Sequence, residues 1–255
     1  MNLYPNAKIN LGLNVVAKLP SGYHHIETIM YPVYDLKDEI TINFLPEGSP
    51  TRFTQEGSAL DCPPEKNLVY RAWQLLKADY PHMPPVHIAL RKFIPSGAGL
   101  GGGSSDASFT LKGLNLLCQL KLSDEVLEEY ASRLGADCPF FIKNLPTAAT
   151  GLGYTFRPVD INLSDYTIMV QKPNVFVSTA EAYAGVTPAS PVEHVWDTVR
   201  RPVSEWRTHL INDFEHTILR DHPEIAELKQ KMYAAGAHYA SMSGSGSAVY
   251  GLFPR

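Results

Sequence analysis

Strict alternation of apolar residues near the start of the chain predicts a β-strand. The apolar positions are Ala7, Ile9, Leu11, Leu13 and Val15, and the opposite face carries Lys8, Asn10, Gly12 and Asn14. A half-polar strand of this kind packs one face on a core and turns the other to water. On the pattern alone, we therefore expect the face with Lys8 to be solvated.

The same pattern analysis places the remaining elements. Strands are expected over residues 23–36, 39–44, 86–94, 166–171 and 247–253. Helical spacing predicts helices over residues 65–80, 104–118, 126–134, 204–220 and 223–235. This order of elements predicts an α+β fold, with a boundary near residues 146–152 that separates domains over 1–148 and 149–255.

Composition and charge narrow the class of protein. The 255 residues include 22 Lys+Arg against 26 Asp+Glu, and the formal charge of -4 argues against a nucleic-acid partner. We find no apolar run long enough for a membrane span, no secretory signal, and no obligate protein partner evident in the sequence. The three cysteines form no C-x-x-C pair, which suits a reducing compartment. We expect a cytoplasmic enzyme that acts on a small molecule.

The most informative stretch is a glycine-rich segment, PSGAGLGGGSSDAS, at residues 95–108. Five of the seven residues 97–103 are glycines, which frees the backbone for positive φ and for close approach to a ligand. A helix is expected to begin at the serines that follow, and Ser104, Ser105 or Asp106 can cap it. A glycine-rich turn before a helix N-terminus is a phosphate-binding arrangement. We call residues 97–105 the glycine loop.

Motif spacing alone leaves the nucleotide open. No lysine follows the glycines, so the loop is not a Walker A motif. Gly97, Gly99 and Gly102 do fit the G-x-G-x-x-G pattern of dinucleotide-binding oxidoreductases, although the acidic residues at the expected distance, Asp124 and Glu125, start a predicted helix. A nucleotide sensor without catalytic activity is a further alternative.

Three segments together resemble a known family. Residues 95–107 of the glycine-rich stretch, PNAKINLGL at 5–13 and MSGSGSAVYGLF at 242–253 are similar, in this order, to the three motifs of the GHMP kinases, which include galactokinase, homoserine kinase, mevalonate kinase and phosphomevalonate kinase. The resemblance is strongest to the branch whose substrate is a methylerythritol carrying a cytidine diphosphate group. The segments shared with that branch are KINLGL at 8–13, SGYH at 21–24, NLV at 67–69, GGGSSD at 101–106, GADCPFF at 135–141 and NDFE at 212–215. Ser96 and Ser108 depart from the family pattern at the rim of the loop.

The resemblance implies a two-domain small-molecule kinase fold, in which the domain over 1–148 binds ATP, the domain over 149–255 lies on the substrate side, and the active site is in the cleft between them. It implies ATP-dependent phosphorylation of the substrate 2-hydroxyl, a step toward isoprenoid precursors; another GHMP-type kinase is the alternative. Lys8 and Asp137 match the catalytic positions. From the residues alone, Asp137 is as well explained as a helix cap or turn residue.

The resemblance also implies the binding residues. ATP is expected to contact Asn67 and Leu68 at its adenine, and its phosphates to lie near Lys92, Pro95, Gly97, Ala98, Gly99, Leu100, Gly101, Gly102, Gly103, Ser104 and Ser105. Mg2+ is expected with ATP, and Ser105 is its expected protein ligand. The substrate is expected to contact Asn10, Tyr23, His24, Thr179 and Tyr183, with His24 at the cytosine edge and Tyr183 stacked on the ring.

Overall fold

The computed structural model describes residues 1–57 and 63–255 of the chain. The strands of this part are β1 (Asn2–Leu3), β2 (Asn6–Lys18), β3 (His24–Lys37), β4 (Glu39–Phe44), β5 (Arg52–Gly57), β6 (Val86–Lys92), β7 (Thr147–Gly151), β8 (Thr155–Pro158), β9 (Tyr166–Gln171), β10 (Tyr239–Met242) and β11 (Val249–Pro254).

Helices and strands alternate irregularly along the chain, as in other α+β proteins. The α-helices of the described residues are α1 (Leu68–Asp79), α2 (Gly102–Leu117), α3 (Asp124–Ser132), α4 (Phe140–Lys143), α5 (Thr179–Ala184), α6 (Val195–Thr198), α7 (Trp206–His209), α8 (Glu215–Asp221) and α9 (Pro223–Ala234). Two 3-10 turns cover Pro64–Lys66 and Val203–Glu205. Among these helices none is long and apolar enough to cross a membrane.

The chain forms two compact units. The first unit comprises residues 1–7, 33–96 and 101–144, and the second comprises residues 8–32, 97–100 and 145–255. The change at 144–145 lies near the predicted boundary, but the two early segments of the second unit make the division discontinuous in sequence. The roles predicted for 1–148 and 149–255, and an active site between them, stay predictions.

The first unit is a four-stranded sheet covered by helices. Its strand order is β1-β4-β6-β5, with β4 and β6 antiparallel and β5 and β6 parallel. The apolar faces of α1, α2 and α3 pack on this sheet around a buried core that includes Ile42, Leu76, Ile88 and Leu111. Burying such aliphatic side chains provides most of the stability of a domain. The sheet and α2 thereby fix both ends of the segment that carries the glycine loop.

The second unit contains two sheets. One has the order β10-β11-β9 with antiparallel pairing, and the other has the order β2-β3-β7-β8. Its core includes Leu13, Val15, Phe214, Ile218 and Met242. Helix α9 begins at Pro223, and the chain turns at Gly236 with a φ of 98°. Proline suits the first helical turn and glycine the left-handed position after the end, as the sequence predicted.

Most of the predicted elements are confirmed, but the helix predicted over 204–220 is wrong. The strands at 39–44 and 166–171 lie where they were predicted, whereas the 204–220 segment breaks into α7 and α8. The interruption has a physical cause, since backbone groups between the two helices bond to β2 instead. Leu13 N donates to Ile211 O at 2.9 Å, and Asp213 N donates to Leu13 O at 2.8 Å.

The solvated polar face predicted for the first strand is also wrong. Lys8 and Asn10 are 4% and 3% exposed, and the apolar positions Ile9 and Leu11 are fully buried. Strand β2 is therefore covered on both faces along this stretch. A polar face that is buried requires partners for its hydrogen-bonding groups, and these partners define part of the candidate site.

Candidate active site

The backbone of the glycine loop has the geometry that its sequence predicted. Gly97, Gly99 and Gly101 have φ values of 61°, 75° and 69°, in the left-handed region that favours glycine. A Cβ on Gly99 would also overlap the carbonyl oxygen of Ser243. Successive residues with alternating backbone handedness turn their N–H groups toward a common point and bind anions. The glycines are required by the conformation and not merely by a tight connection.

Two further glycines of the loop differ in how much space surrounds them. A Cβ on Gly102 would lie 2.9 Å from Ile94 Cγ2 and 3.2 Å from Lys92 Nζ. A Cβ on Gly103 would have Leu68 Cδ1 as its nearest neighbour, at 3.9 Å. Gly102 therefore allows close packing against the end of β6, whereas the protein around Gly103 would accept a side chain.

The N-terminus of α2 lacks the predicted side-chain cap. The N-cap residue is Gly101, and no side chain caps the helix, so the expected capping by Ser104, Ser105 or Asp106 is wrong. The reason is that the helix begins at Gly102, two residues before the predicted start. The first N–H groups of an uncapped helix have no internal partners and carry the positive end of the helix dipole. They are available to an anion.

The serines after the glycines face the interior of the first unit. Ser105 is fully buried, and its Oγ has no hydrogen-bond partner. Ser108 is also fully buried, and its Oγ lies 2.7 Å from Cys138 O and 3.0 Å from Ser104 O. Ser108 thus ties α2 to the turn that contains Asp137, which explains how a polar residue is accommodated at this departure from the family pattern.

The turn between α3 and α4 carries Asp137. The aspartate is half-buried, while Cys138, Phe140 and Phe141 behind it are buried. Burial raises the pKa of the Cys138 thiol to about 11, and the charge of Asp137 adds to this shift. Cys138 therefore stays a neutral thiol at physiological pH. Of these neighbours, Asp137 is the one that can accept a proton.

A buried row of hydrogen bonds holds the first motif in the second unit. Lys8 Nζ donates to Asn10 Oδ1 at 2.6 Å, and Asn10 Nδ2 donates to Thr28 Oγ1 at 3.1 Å. Thr28 Oγ1 in turn donates to Gly12 O at 2.5 Å. The row fixes the side chain of Asn10 and gives the ammonium of Lys8 a defined direction. The predicted pair of Lys8 and Asn10 is brought together.

Residues 97–100 of the loop are fixed by the first and third motifs, in the same unit. Ala98 and Leu100 have buried side chains, so a ligand would meet their backbone. Leu100 O accepts from Lys8 N at 2.9 Å, and Ala98 O accepts from Ala248 N at 3.2 Å. Pro95, which precedes this segment, is half-buried.

Ser243 joins all three motifs, a role that the sequence did not predict. Its Oγ donates to Gly99 O at 2.8 Å and accepts from Asn10 N at 3.2 Å. Asn212 supports the same turn, because its Nδ2 donates to both Met242 O and Gly244 O at 2.9 Å. Both residues lie in segments that carried the family resemblance, which was the signal for them. Their partners were not visible in the sequence.

The predicted adenine contacts have structural roles of their own. Asn67 caps α1, since its Oδ1 accepts from Val69 N at 2.9 Å, and its Nδ2 donates to Gln55 Oε1 at 2.9 Å. Leu68 is half-buried and packs against the core of the first unit. Lys92 is buried, and its Nζ donates to the carboxylates of Asp38 and Asp106. Their contact with ATP stays a prediction.

Four predicted substrate residues lie around one cavity of about 450 Å³ in the second unit, which we call the ring-lined cavity. The four residues are Tyr23, His24, Thr179 and Tyr183. The rings of His24 and Tyr183 are stacked, with centroids 4.6 Å apart and planes 16° from parallel. Burial lowers the pKa of His24, and Lys18 adds to the effect, so the imidazole is neutral at physiological pH. A flat, neutral, hydrogen-bonding surface of this kind suits a nucleobase.

The fold around the glycine loop does not favour a dinucleotide-binding oxidoreductase. In such enzymes the helix after the loop leads to a second parallel strand, which ends in an acidic residue that binds the ribose. Here α2 is followed by α3, and Asp124 and Glu125 lie in the first turn of that helix. The G-x-G-x-x-G match is therefore coincidental.

Comparisons with known proteins agree with the resemblance. The sequence matches the GHMP kinases N terminal domain over residues 67–144 and the GHMP kinases C terminal domain over residues 205–255. It is 52% identical to 4-diphosphocytidyl-2-C-methyl-D-erythritol kinase of Parabacteroides distasonis, over 100% of this chain and 92% of that protein. The protein of the same name from Porphyromonas gingivalis is 47% identical, over 99% of this chain and 92% of its own length.

Solved structures give the same picture. A crystal structure of 4-(cytidine 5'-diphospho)-2C-methyl-D-erythritol kinase matches 99% of this chain and 90% of its own, with a TM-score of 0.80 and 32% identity. Homoserine kinase from Cytophaga hutchinsonii matches 98% of this chain and 85% of its own, with a TM-score of 0.67 and 17% identity. The second similarity concerns the fold alone.

Proposed function

The chain belongs to the 4-diphosphocytidyl-2-C-methyl-D-erythritol kinases of the GHMP kinase family, and on this premise we propose that it transfers the γ-phosphate of ATP to the 2-hydroxyl of 4-diphosphocytidyl-2-C-methyl-D-erythritol. It is an ATP-dependent small-molecule kinase, and this reaction is a step toward isoprenoid precursors. The observation that carries the proposal for the substrate is the ring-lined cavity, where two separate segments of the chain bring Tyr23 and His24 together with Thr179 and Tyr183. A cytoplasmic location stays a prediction.

The glycine loop is proposed to bind the ATP phosphates through its backbone. Positive φ at Gly97, Gly99 and Gly101, and an N-terminus of α2 without a side-chain cap, support this role. The buried side chains of Ala98 and Leu100 agree with contacts made by N–H groups alone. Phosphoryl transfer depends mainly on positioning and on charge stabilisation, so a rigid backbone cradle suits the reaction.

Mg2+ is proposed to accompany ATP. The residues present fit such an ion, because Ser105 Oγ and Asp106 Oδ1 are buried oxygens without hydrogen-bond partners at the start of α2. Oxygen atoms are the ligands that Mg2+ prefers, and the ion usually keeps contacts with substrate phosphates. When bound, Mg2+ would neutralise phosphate charge. Ser105 is the side chain proposed to hold it.

Asp137 is proposed as the proton acceptor. It would take the proton of the 2-hydroxyl while that oxygen bonds to the γ-phosphorus and ADP leaves. The half-buried position of Asp137, in front of the neutral thiol of Cys138, suits a carboxylate that must meet a substrate. Lys8 is proposed to stabilise the developing negative charge, and its bond to Asn10 at 2.6 Å directs its ammonium.

The base of the substrate is proposed to bind in the ring-lined cavity. Tyr183 packs edge-on against Phe214, with centroids 4.9 Å apart, which leaves its own face to stack on a flat group. His24 stacks on one face of Tyr183. Stacking against aromatic rings contributes about 1–3 kcal/mol per base. The edge of the base would then be recognised by hydrogen bonds from His24 and Thr179.

An ADP-release assay tests the proposed reaction. The purified protein is given ATP and Mg2+ with four separate acceptors: 4-diphosphocytidyl-2-C-methyl-D-erythritol, mevalonate, homoserine and galactose. We expect ADP release with the cytidine compound, and a product that carries one additional phosphate by mass spectrometry. ADP release with one of the other three acceptors instead would assign the chain to a different small-molecule kinase activity.

A further inference from the structure

A buried cluster of three charged residues lies in the first unit, and two of its members, Lys92 and Asp106, flank the glycine loop in sequence. Asp38, Lys92 and Asp106 come from the β3–β4 connection, the end of β6 and the second turn of α2. Their side chains are 0%, 1% and 3% exposed. Burying charged groups costs free energy unless they are paired. A buried cluster of three charges therefore calls for an explanation that a surface ion pair does not.

Asp38 binds the segment that enters the loop. One carboxylate oxygen, Oδ1, accepts from Phe93 N at 2.6 Å and from Ile94 N at 2.8 Å. The other oxygen, Oδ2, accepts from Lys92 Nζ. A single buried carboxylate thus fixes three consecutive residues directly before Pro95. Hydrogen bonds to an ionised group in a buried setting are strong and directional.

Lys92 extends this link to the segment that leaves the loop. Its Nζ also donates to Asp106 Oδ2 at 2.7 Å, and Asp106 directly follows Ser105 on α2. The same Nζ lies 3.2 Å from the position that a Cβ on Gly102 would take. The two ends of the glycine-rich segment therefore meet at one ammonium group.

The charges around Lys92 keep its side chain ionised. Burial alone would lower the pKa of Lys92, but the charges of Asp106 and Asp38 outweigh it and raise the value. Lys92 is thus held as a cation whose ammonium donates to both carboxylates.

We propose that Asp38 is a positioning residue for the glycine loop: it holds Ile94 directly and Asp106 through Lys92, in the arrangement that binds ATP. The proposal rests on the proposed role of the glycine loop in ATP binding. It assigns the side chain of Lys92 to the support of the loop. Asp38 itself is fully buried, so it acts through these contacts.

Asp38→Asn tests this role with little change in shape. Asn Oδ1 can still accept from Phe93 N and Ile94 N, but Nδ2 would face Lys92 Nζ as a second donor. Glu39→Gln is the matched control, because Glu39 is the next residue and pairs with Arg91 at the surface, 3.7 Å away. Isothermal titration at a temperature well below the Tm would give the Kd for ATP with Mg2+ and, separately, for CDP.

We expect Asp38→Asn to raise the Kd for ATP about tenfold or more and to change the Kd for CDP less than about twofold. Glu39→Gln should change neither. A purely structural role would lower the Tm of Asp38→Asn and leave the ATP affinity of the folded protein unaltered. That result, or an equal effect from Glu39→Gln, would overturn the proposal.

Lys92→Met provides a second route that does not depend on Asp38→Asn alone. If Asp38 acts through Lys92, then Asp38→Asn should have little further effect on ATP affinity when it is added to Lys92→Met. An undiminished effect of Asp38→Asn in the Lys92→Met protein would overturn the role of Lys92.

ATP affinity can be measured without the acceptor substrate. The positioning role of Asp38 is therefore tested separately from the proposed reaction. A wild-type protein that bound ATP but left the cytidine substrate unphosphorylated would overturn the function and leave the positioning role measurable. A wild-type protein that bound no ATP would overturn both.

Discussion

The glycine loop and the ring-lined cavity present two different kinds of surface to a ligand. In the loop, Gly97, Gly99 and Gly101 adopt left-handed conformations, and the side chains of Ala98 and Leu100 are buried, so the backbone forms the surface. In the cavity, the rings of His24 and Tyr183 form it, and Tyr23 is 68% exposed beside them.

This difference indicates how each region should respond to substitution. A surface made of backbone groups loses its binding geometry when the backbone conformation changes. Residues other than glycine rarely adopt the positive φ that this conformation requires. A side-chain surface keeps its fold after substitution and loses only the contacts of the altered group. Changes in the loop should therefore affect ATP binding strongly, whereas changes in the cavity should affect the choice of substrate.

The largest effect is expected from Gly99→Ala. Alanine would have to adopt a φ of 75°, which residues other than glycine rarely do. Its methyl group would also overlap Ser243 O, a backbone atom that cannot rotate away. We expect the Kd for ATP to rise about 10²-fold or more, since strain of about 2–3 kcal/mol or more falls on the binding conformation. Isothermal titration with ATP checks this.

Gly103→Ala is the folding control for that variant. Its Cβ would meet only Leu68 Cδ1 at 3.9 Å, and alanine stabilises helices relative to glycine. We expect its Tm, measured by circular dichroism, to equal or exceed that of the wild type. A Gly99→Ala protein with wild-type ATP affinity would contradict the description of the loop as a backbone surface.

Asp137→Asn should separate chemistry from both binding surfaces. The amide keeps the shape but cannot accept the proton, so kcat should fall about 10²-fold or more. The affinities for ATP and for CDP should change little, because neither the loop nor the cavity is altered. Steady-state kinetics combined with titration checks this. Near-normal kcat would assign Asp137 to a structural role.

Tyr183→Ala should weaken the cavity alone. Loss of the ring that stacks on His24 removes a stacking surface worth about 1–3 kcal/mol, so the Kd for CDP should rise about tenfold. ATP affinity should be unchanged. Tyr183→Phe retains the ring and is the control. An equal loss of CDP affinity in both variants would point to the hydroxyl instead of stacking.

Of the four substitutions, Ser243→Ala should have the smallest effect. It should weaken ATP binding by the glycine loop. The variant removes the hydroxyl that bonds Gly99 O and Asn10 N, which costs about 1–3 kcal/mol shared between stability and ATP binding. Ser241→Ala is matched, since Ser241 is as buried as Ser243, lies two residues earlier, in β10, and donates to Glu215 Oε1 instead.

We expect a lower Tm in both serine variants and a higher KM for ATP in Ser243→Ala alone. Thermal melts and initial rates at varied ATP would provide the comparison. A higher KM for ATP in Ser241→Ala as well would mean that the hydroxyl of Ser243 has no special connection with the loop.

The sequence predicted the backbone surface better than its supports. The glycine positions could be identified because left-handed conformations restrict residue type, and this restriction is visible in one chain. Asp38 could not be identified, because it lies between two predicted strands, where aspartate is a common turn residue. Its partner Lys92 is 54 residues away. Ser243 and Gly99 are 144 residues apart.

Two errors in the predicted fold have a related origin. The alternation in β2 identified the strand, but it could not indicate that Lys8 and Asn10 would be covered as well as Ile9 and Leu11. Helical spacing over 204–220 could not reveal that Leu13, almost 200 residues earlier in the chain, would take the backbone bonds of Ile211 and Asp213. Local patterns specify an element, and distant partners decide whether it continues or is covered.

The choice between cytosine and uracil is the most direct test of the ring-lined cavity. Cytosine presents two hydrogen-bond acceptors, N3 and O2, and one donor, its amine. Uracil has a carbonyl in place of the amine, and its N3 carries a hydrogen and donates. The measurement is kcat/KM for 4-diphosphocytidyl-2-C-methyl-D-erythritol and for its uridine counterpart, at saturating ATP. We predict a preference for the cytidine compound of about tenfold or more for each mismatched hydrogen bond in the wild type. Equal kcat/KM for the two compounds would contradict recognition of cytosine by the cavity, and with it the proposed substrate.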